Sequence, residues 1–229
     1  MKKALLILSI LFISMSYGQE VKQVPQINVS GEGKVKVIPD QATITVTVET
    51  KGNNAKDVKK QNDEKIDAVL KFIKKMNVAT SDYKTQRVSL NPQYDYEKKK
   101  HNYNATQTIE ILLRDLSKYD ELMEGMVDQG INRIDAVTFQ SSNLAQYQSE
   151  ARKLAMKEAK MKAEDYVSVL GQKVGRAMTI SDNSQTYYPQ PVYATMKSME
   201  SSDTTQPRET LAAGEINITA NVTVSFILE

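Results

Sequence analysis

Two alternating runs open the folded part of the chain, in the stretch INVSGEGKVKVIPDQATITVTVET at residues 27 to 50. In the first, Ile27, Val29, Val35 and Val37 alternate with polar residues; in the second, Ala42, Ile44, Val46 and Val48 alternate with Thr43, Thr45, Thr47 and Glu49. A period of two in a Val/Thr-rich run predicts half-buried strands, and Pro39-Asp40 supplies the turn between them. Gly31 and Gly33 break the pattern, because they fall on the inward phase where large side chains belong.

Helical spacing follows. Ala55, Val58, Ile66, Val69, Ile73 and Met76 share one face of a helix over 54–76, with Asn53 or Asn54 as its cap. Asn62 sits on that apolar face and is read as bonded to neighbouring backbone. A third strand carries Val88, Leu90, Tyr94 and Tyr96 in phase, interrupted by Asn91-Pro92. Proline cannot donate to a ladder, so this strand lies at an edge there, or bends and changes partners. After the turn KKKHN (98–102), Ile109, Ile111 and Leu113 mark a fourth strand. A helix begins at Asp115-Leu116-Ser117, with Ser117 and Asp120 resembling a capping box; it buries Leu116, Tyr119, Leu122, Met123 and Met126 and stops at Gly130.

Residues 131–140 predict a short strand, and the longest helix runs from about 143 to 170 with Ala151, Ala155, Ala159 and Ala163 at every fourth position. Such a ridge of small side chains lets a helix lie close to whatever it covers. Gly171 ends it, and a strand near 173–180 follows. The Ser-, Thr-, Gln- and Pro-rich residues 183–213 show no sustained period and read as a flexible loop. The last strand places Ile216, Ile218, Ala220, Val222, Val224, Phe226 and Leu228 in one phase.

This order predicts an α+β fold: two-layer sheet-plus-helix lobes sharing long, mostly antiparallel strands, with three main helices and a strand kink near 91–92. An outer-membrane barrel is disfavoured by the few strands and substantial helices. Within this fold Gly31 and Gly33 serve close approach of a helix or crossing strand to the sheet. A phosphate-binding glycine loop would instead open a helix.

The N-terminus changes the setting. Lys2 and Lys3, the apolar run Ala4 to Met15 and Ser16-Tyr17-Gly18 form a signal-peptide pattern, so residues 1–18 are expected to be removed and 19–229 exported to the periplasm or outer-membrane surface. No later apolar run approaches membrane length. Loss of Lys2 and Lys3 takes the basic residues from 30 to 28, equal to the 28 acidic ones. A formally neutral exported chain is a poor candidate for binding nucleic acid. No cysteine is present, which excludes disulfides and a lipidated cysteine anchor. The sequons at Asn28, Asn104, Asn217 and Asn221 fall on polar phases or strand starts and are read as products of strand alternation.

Six pieces in order, VSGEGKVKVIPDQATITVTVET, SLNPQYDY, LLRDLSKYDEL, GINRIDAVTF, EARKLAMKEAKMKAEDYVSVLGQKVG and GEINITANVTVSFILE, resemble the SIMPL-domain family of exported bacterial proteins. The resemblance is collinear over about residues 25 to 229, with the Pro-rich loop as its variable part. It implies a periplasmic or envelope-associated α+β protein, a tendency to self-associate and a link to oxidative-stress defence. It also implies no established catalytic residues. Gly31, Gly33, Pro39, Asp40, Arg114 and Asp115 mark the family without a known chemical role.

The residues themselves offer little chemistry. His101 is the sole histidine and lies in a Lys-rich turn, so a Cys/His metal site is impossible and a His-based triad has no support. No catalytic residue, metal or cofactor is assigned. Arg114-Asp115 reads as a strand-end charge beside a helix cap, with a functional ion pair as the alternative. Lys98, Lys99 and Lys100 form a solvated turn or, with Tyr94, Tyr96 and Tyr103, a contact surface of the kind tyrosines favour.

Two functions are weighed. One is a non-enzymatic envelope protein that forms a homo-oligomer or binds an envelope partner through sheet edges and the Tyr-bearing hairpin. The other is a direct oxidant handler based on methionine. Of ten methionines, Met1 and Met15 lie in the leader; Met76, Met123 and Met126 occupy core phases, leaving Met196 and Met199 as an exposed pair. Turnover would need a redox group, and none is visible in the sequence, so the first function is preferred. The terminal strand is a candidate edge for self-association; a central place is the alternative.

Overall fold

The computed structural model describes residues 24–97, 99–184 and 211–229. The leader, the start at Gln19, Met196, Met199 and most of the 183–213 loop lie outside the described residues. The fold is α+β, with the elements β1 (Gln26–Val37), β2 (Gln41–Gly52), α1 (Ala55–Lys75), β3 (Tyr83–Asp95), β4 (Lys100–Leu113), α2 (Tyr119–Asp128), β5 (Arg133–Gln140), α3 (Leu144–Ser168), β6 (Val174–Asp182) and β7 (Ile216–Leu228). Short 3₁₀ turns at Thr80–Asp82 and Leu116–Lys118 lead into β3 and α2.

Two antiparallel sheets result, in the orders β1-β7-β6 and β3-β4-β2-β5. Each strand belongs to one sheet. β1 and β2 do not form a hairpin: Ile38-Pro39-Asp40 carries the chain from the first sheet to the second. Helix α3 covers β1 and β7, while α1 covers β2 and β4 and packs against α2. One apolar core joins the layers, from Val29, Val222 and Val224 through Ala155 and Ala159 to Ile44, Ile73, Ile109 and Met126.

The reason for the bare inward positions lies in α3. A Cβ built on Gly31 would stand 2.0 Å from the Ala155 carbonyl oxygen, and one on Gly33 would stand 1.9 Å from that of Ala151. The helix backbone therefore rests on the strand backbone, with Ala151, Ala155, Ala159 and Ala163 fully buried. The Glu158 carboxylate accepts the Glu32 N–H, and Lys162 Nζ donates to the Ser30 carbonyl at 3.1 Å. Two backbone groups of edge strand β1 are thus taken up by α3 side chains, which helps to blunt that edge.

Asn54 caps α1 by accepting the N–H groups of Lys56 and Asp57. Asn62, buried beneath α1, donates to the Val48 carbonyl at 3.1 Å and to Thr50 Oγ1 at 3.2 Å. At the next helix the cap differs from the expected capping box. Asp115, not Ser117, accepts from the Ser117 N–H and opens the 3₁₀ turn, and α2 starts only at Tyr119. A carboxylate two residues ahead of an N–H reaches it directly, so it takes the capping role first.

Two strand assignments need correction. β7 is the central strand of its sheet, paired with β1 on one side and β6 on the other, and is not a free edge. Its unbroken alternation over 13 residues suits pairing on both sides. In β3, the register irregularity falls between Thr85 and Arg87; pairing continues through Pro92, opposite Tyr103. β3 is an edge strand, where a missing N–H is tolerated.

Candidate functional site

The β3–β4 hairpin carries the tyrosines singled out by the sequence. Cross-strand pairs share a face, and the irregularity at Gln86 resets the phase. Tyr83 and Thr85, then Val88, Leu90, Pro92 and Tyr94, therefore project to the helix side. The expected phase is present, but the expected cover is not. α1 lies over β2 and β4 and barely reaches β3. Val88 is 64% exposed, Leu90 39%, Tyr94 45% and Tyr96 84%. These four are surface residues, not core.

At the tip, the Tyr94 ring stands edge-on to Tyr96 with centroids 5.0 Å apart and to His101 at 5.1 Å. Tyr103 is half-buried opposite Pro92. Lys99 holds a left-handed conformation (φ 47) in the exposed turn beside this aromatic group. The structure thus brings Tyr94, Tyr96 and His101 together, next to Lys99 and Lys100.

Arg114 and Asp115 diverge in role. Arg114, at the end of β4, grips Asp82 through two parallel bonds, Nε to Oδ2 at 2.6 Å and Nη2 to Oδ1 at 2.8 Å. The guanidinium holds the Asp82 carboxyl below the usual carboxylate range, and Asp82 in turn raises Arg114. Asp115 turns to Ser117, whose hydroxyl donates at 2.6 Å and whose N–H donates at 3.1 Å; these bonds lower its pKa. A cleft of about 290 Å³ opens beside the pair, between the end of α1, the end of β4 and the start of α2. A second hollow of about 210 Å³ lies on the other side of Asp82, lined by Thr43, Tyr83 and Glu110.

Asp40 has a structural partner. Its carboxylate accepts the Ser142 N–H at 2.7 Å and the Ser142 hydroxyl at 2.5 Å, which lowers its pKa and fastens the turn that opens α3. Pro39 leads into that residue from β1. Gly31, Gly33 and Asp40 therefore all act on the seating of α3.

Sequence reasoning missed Asp82 and a polar network on the outer face of the second sheet. There Thr47, fully buried, bonds Thr108 and Asp135, and Arg133 Nε donates to Asp135 at 2.6 Å. Glu49, held low chiefly by Lys51 and then by Asn104, joins the same face. The Asn104 sequon side chain is thus engaged within the sheet, as is that of Asn28, which accepts from Ser225. Arg114, read as a strand-end charge, was the available pointer to Asp82.

Among the described residues no cluster of three or more His, Asp or Glu side chains is placed to hold a metal ion, and no helix is long and apolar enough to cross a membrane. The profile of the SIMPL family, described as "Protein of unknown function (DUF541)", matches residues 27–226. The chain is 29% identical over 213 residues to the "Uncharacterized protein YggE" of Escherichia coli (strain K12), covering 92% of this chain and 86% of that protein. A protein of the same name from Edwardsiella ictaluri is 25% identical over 213 residues, covering 91% and 89%. The "26 kDa periplasmic immunogenic protein" of Brucella melitensis is 27% identical over 220 residues, covering 91% and 86%.

Proposed function

The chain belongs to the SIMPL family, and on that premise we propose that it is a non-enzymatic protein of the bacterial cell envelope that works by self-assembly. The observation that carries this reading is the uncovered apolar row Val88, Leu90, Pro92 and Tyr94 on an edge strand, continued by Tyr96 at the hairpin tip. Contiguous apolar surface of this kind marks interaction sites. The name of the Brucella relative supports a periplasmic setting, as does the signal-peptide pattern at residues 1–18.

The occupant we assign to the hairpin is a second copy of the chain. Helix α2 presents the exposed acids Glu121, Glu124 and Asp128 beside exposed Val127, and between Tyr119 and Asp128 it has no basic side chain. The hairpin tip offers the complement: Lys99 and Lys100 beside Tyr94 and Tyr96. Tip-to-helix contact joins two different surfaces, so it propagates head to tail, and a rotation that closes on itself makes it a ring. Backbone pairing between β3 edges is opposed by Pro92, which lacks an N–H.

A charge-swap experiment tests this. Lys99→Glu with Lys100→Glu, and separately Glu121→Lys with Glu124→Lys, should each dissociate the oligomer. Mixing the two variants should restore it, because the acidic hairpin of one meets the basic α2 of the other and the two unchanged surfaces still match. Two variants that both keep the wild-type mass would reject the arrangement.

A further inference from the structure

We propose that the cleft beside Arg114 binds small amphipathic monocarboxylates, with the carboxylate on Arg114 and Lys118 and the tail on Met76, Val78 and Leu122. The site is separate from the hairpin surface and stands whether or not that surface assembles. Its volume, about 290 Å³, lies at the lower end of the roughly 300–1,000 Å³ typical of ligand pockets and so suits a small ligand. Ligand pockets are mostly apolar with a few placed polar groups, and this one fits that description.

The floor is apolar where the end of α1 meets Leu113 and Leu122, and the cations Arg114 and Lys118 stand at the β4–α2 junction. Arg114 is held ready for a ligand. Its Nε and Nη2 are fixed on Asp82, whose side chain is only 6% exposed, while the arginine itself is 62% exposed. Two of its five N–H donors are used there, and three remain for another planar oxygen pair.

The four charges of the cleft, Asp82, Arg114, Asp115 and Lys118, sum to zero, so selectivity rests on which partners are spent. Both Asp82 oxygens accept from Arg114, and Asp115 Oδ1 accepts both Ser117 donors. What an anion would engage is the remaining donor capacity, three N–H groups of Arg114 and the ammonium of Lys118 beside Asp115. An oriented guanidinium above an apolar floor favours a carboxylate that carries a tail over a bare inorganic anion.

Octanoate, with ten non-hydrogen atoms, is the probe. Isothermal titration into residues 19–229 should give saturable one-to-one binding, with 1-octanol and octylamine weaker by about tenfold or more. Lys118→Ala should weaken octanoate by about tenfold with melting unchanged. Ala79→Phe, at an exposed extended residue lining the cleft, should fill it and abolish binding. Both variants spare the Asp82–Arg114 pair and so the fold. No saturable octanoate binding, equal binding of octanol or octylamine, or unaltered binding to Ala79→Phe would each overturn the proposal.

Discussion

Replacing Gly31 by alanine adds one methyl group, and the structure predicts an unusually large cost for it. The new Cβ would lie 2.0 Å from the Ala155 carbonyl oxygen, 2.7 Å from the Ala159 nitrogen and 2.9 Å from the Ala159 Cβ. Ordinary contact begins near 3.4 Å, so the gap must open by about 1.4 Å. No side-chain rotation can provide this, because the two nearest obstacles are helix backbone. Helix α3 must lift or slide, and β1 must give way.

Lifting α3 loosens its contacts over Ala220 and Val222 and stretches the Glu158 and Lys162 bonds to β1. Overpacking of a well-filled core costs about 1–3 kcal/mol, and a backbone obstacle places Gly31→Ala at about 3 kcal/mol. For a chain of this size each kcal/mol shifts Tm by about 2–4 °C, which gives a fall of about 6–12 °C. Gly33→Ala, with its Cβ 1.9 Å from the Ala151 carbonyl oxygen, should behave alike. Gly171→Ala is the control: its added Cβ meets nothing within 4 Å, and only the positive φ of 67° is penalised, by about 1–2 kcal/mol. Thermal melts of the three variants decide the matter. If Gly31→Ala and Gly33→Ala melt within 1 °C of wild type, α3 is not seated on these glycines and the packing argument fails.

Asn62→Ala removes the Nδ2 donor that serves Thr50 Oγ1 beneath α1, together with the bond to the Val48 carbonyl; urea unfolding should show a loss of about 2 kcal/mol, and no loss would mean that these acceptors find other donors. Asp40 has its pKa lowered by its bonds to Ser142, so its stabilisation is present above the unfolded value near 3.9 and is lost as pH falls through the lower folded value. Asp40→Asn should therefore melt below wild type at pH 7, with the gap narrowing below pH 4; a gap that stays constant over this range would exclude the linkage. Self-association through Lys99, Lys100 and the α2 acids should weaken as salt rises from 0.05 to 1 M, read by sedimentation velocity, because exposed charge contacts are screened; salt-independent mass would point to the apolar row alone.

The parts of the fold legible in the sequence are those governed by local period. Alternation located β1, β2 and β7, and four-residue spacing located α1 and α3. The mismatch of Gly31 and Gly33 with their own phase announced a close neighbour, and the alanine ridge announced a helix able to lie close, but only the structure matched the one to the other. Asn62 was legible as a buried amide because it interrupts an apolar face.

What escaped was set by contacts distant in sequence. Val88, Leu90 and Tyr94 have the inward phase, but phase says which side a residue faces and not whether a helix reaches over it. α1 spans 21 residues, or about 31 Å, and its footprint falls on β2 and β4. The central place of β7 depends on partners at both ends of the chain. Asp82 finds Arg114 32 residues away, and Asp40 finds Ser142 102 residues away, at spacings with no period to read. Only the donors and acceptors themselves, Arg114 and Asp40, were visible in advance.

The central claim, that this protein works by assembling with itself, is tested most directly by its mass in solution. Multi-angle light scattering of residues 19–229 at micromolar concentration should give a fixed multiple of the subunit mass that persists on dilution. A species of one subunit mass across the whole concentration range would contradict the account.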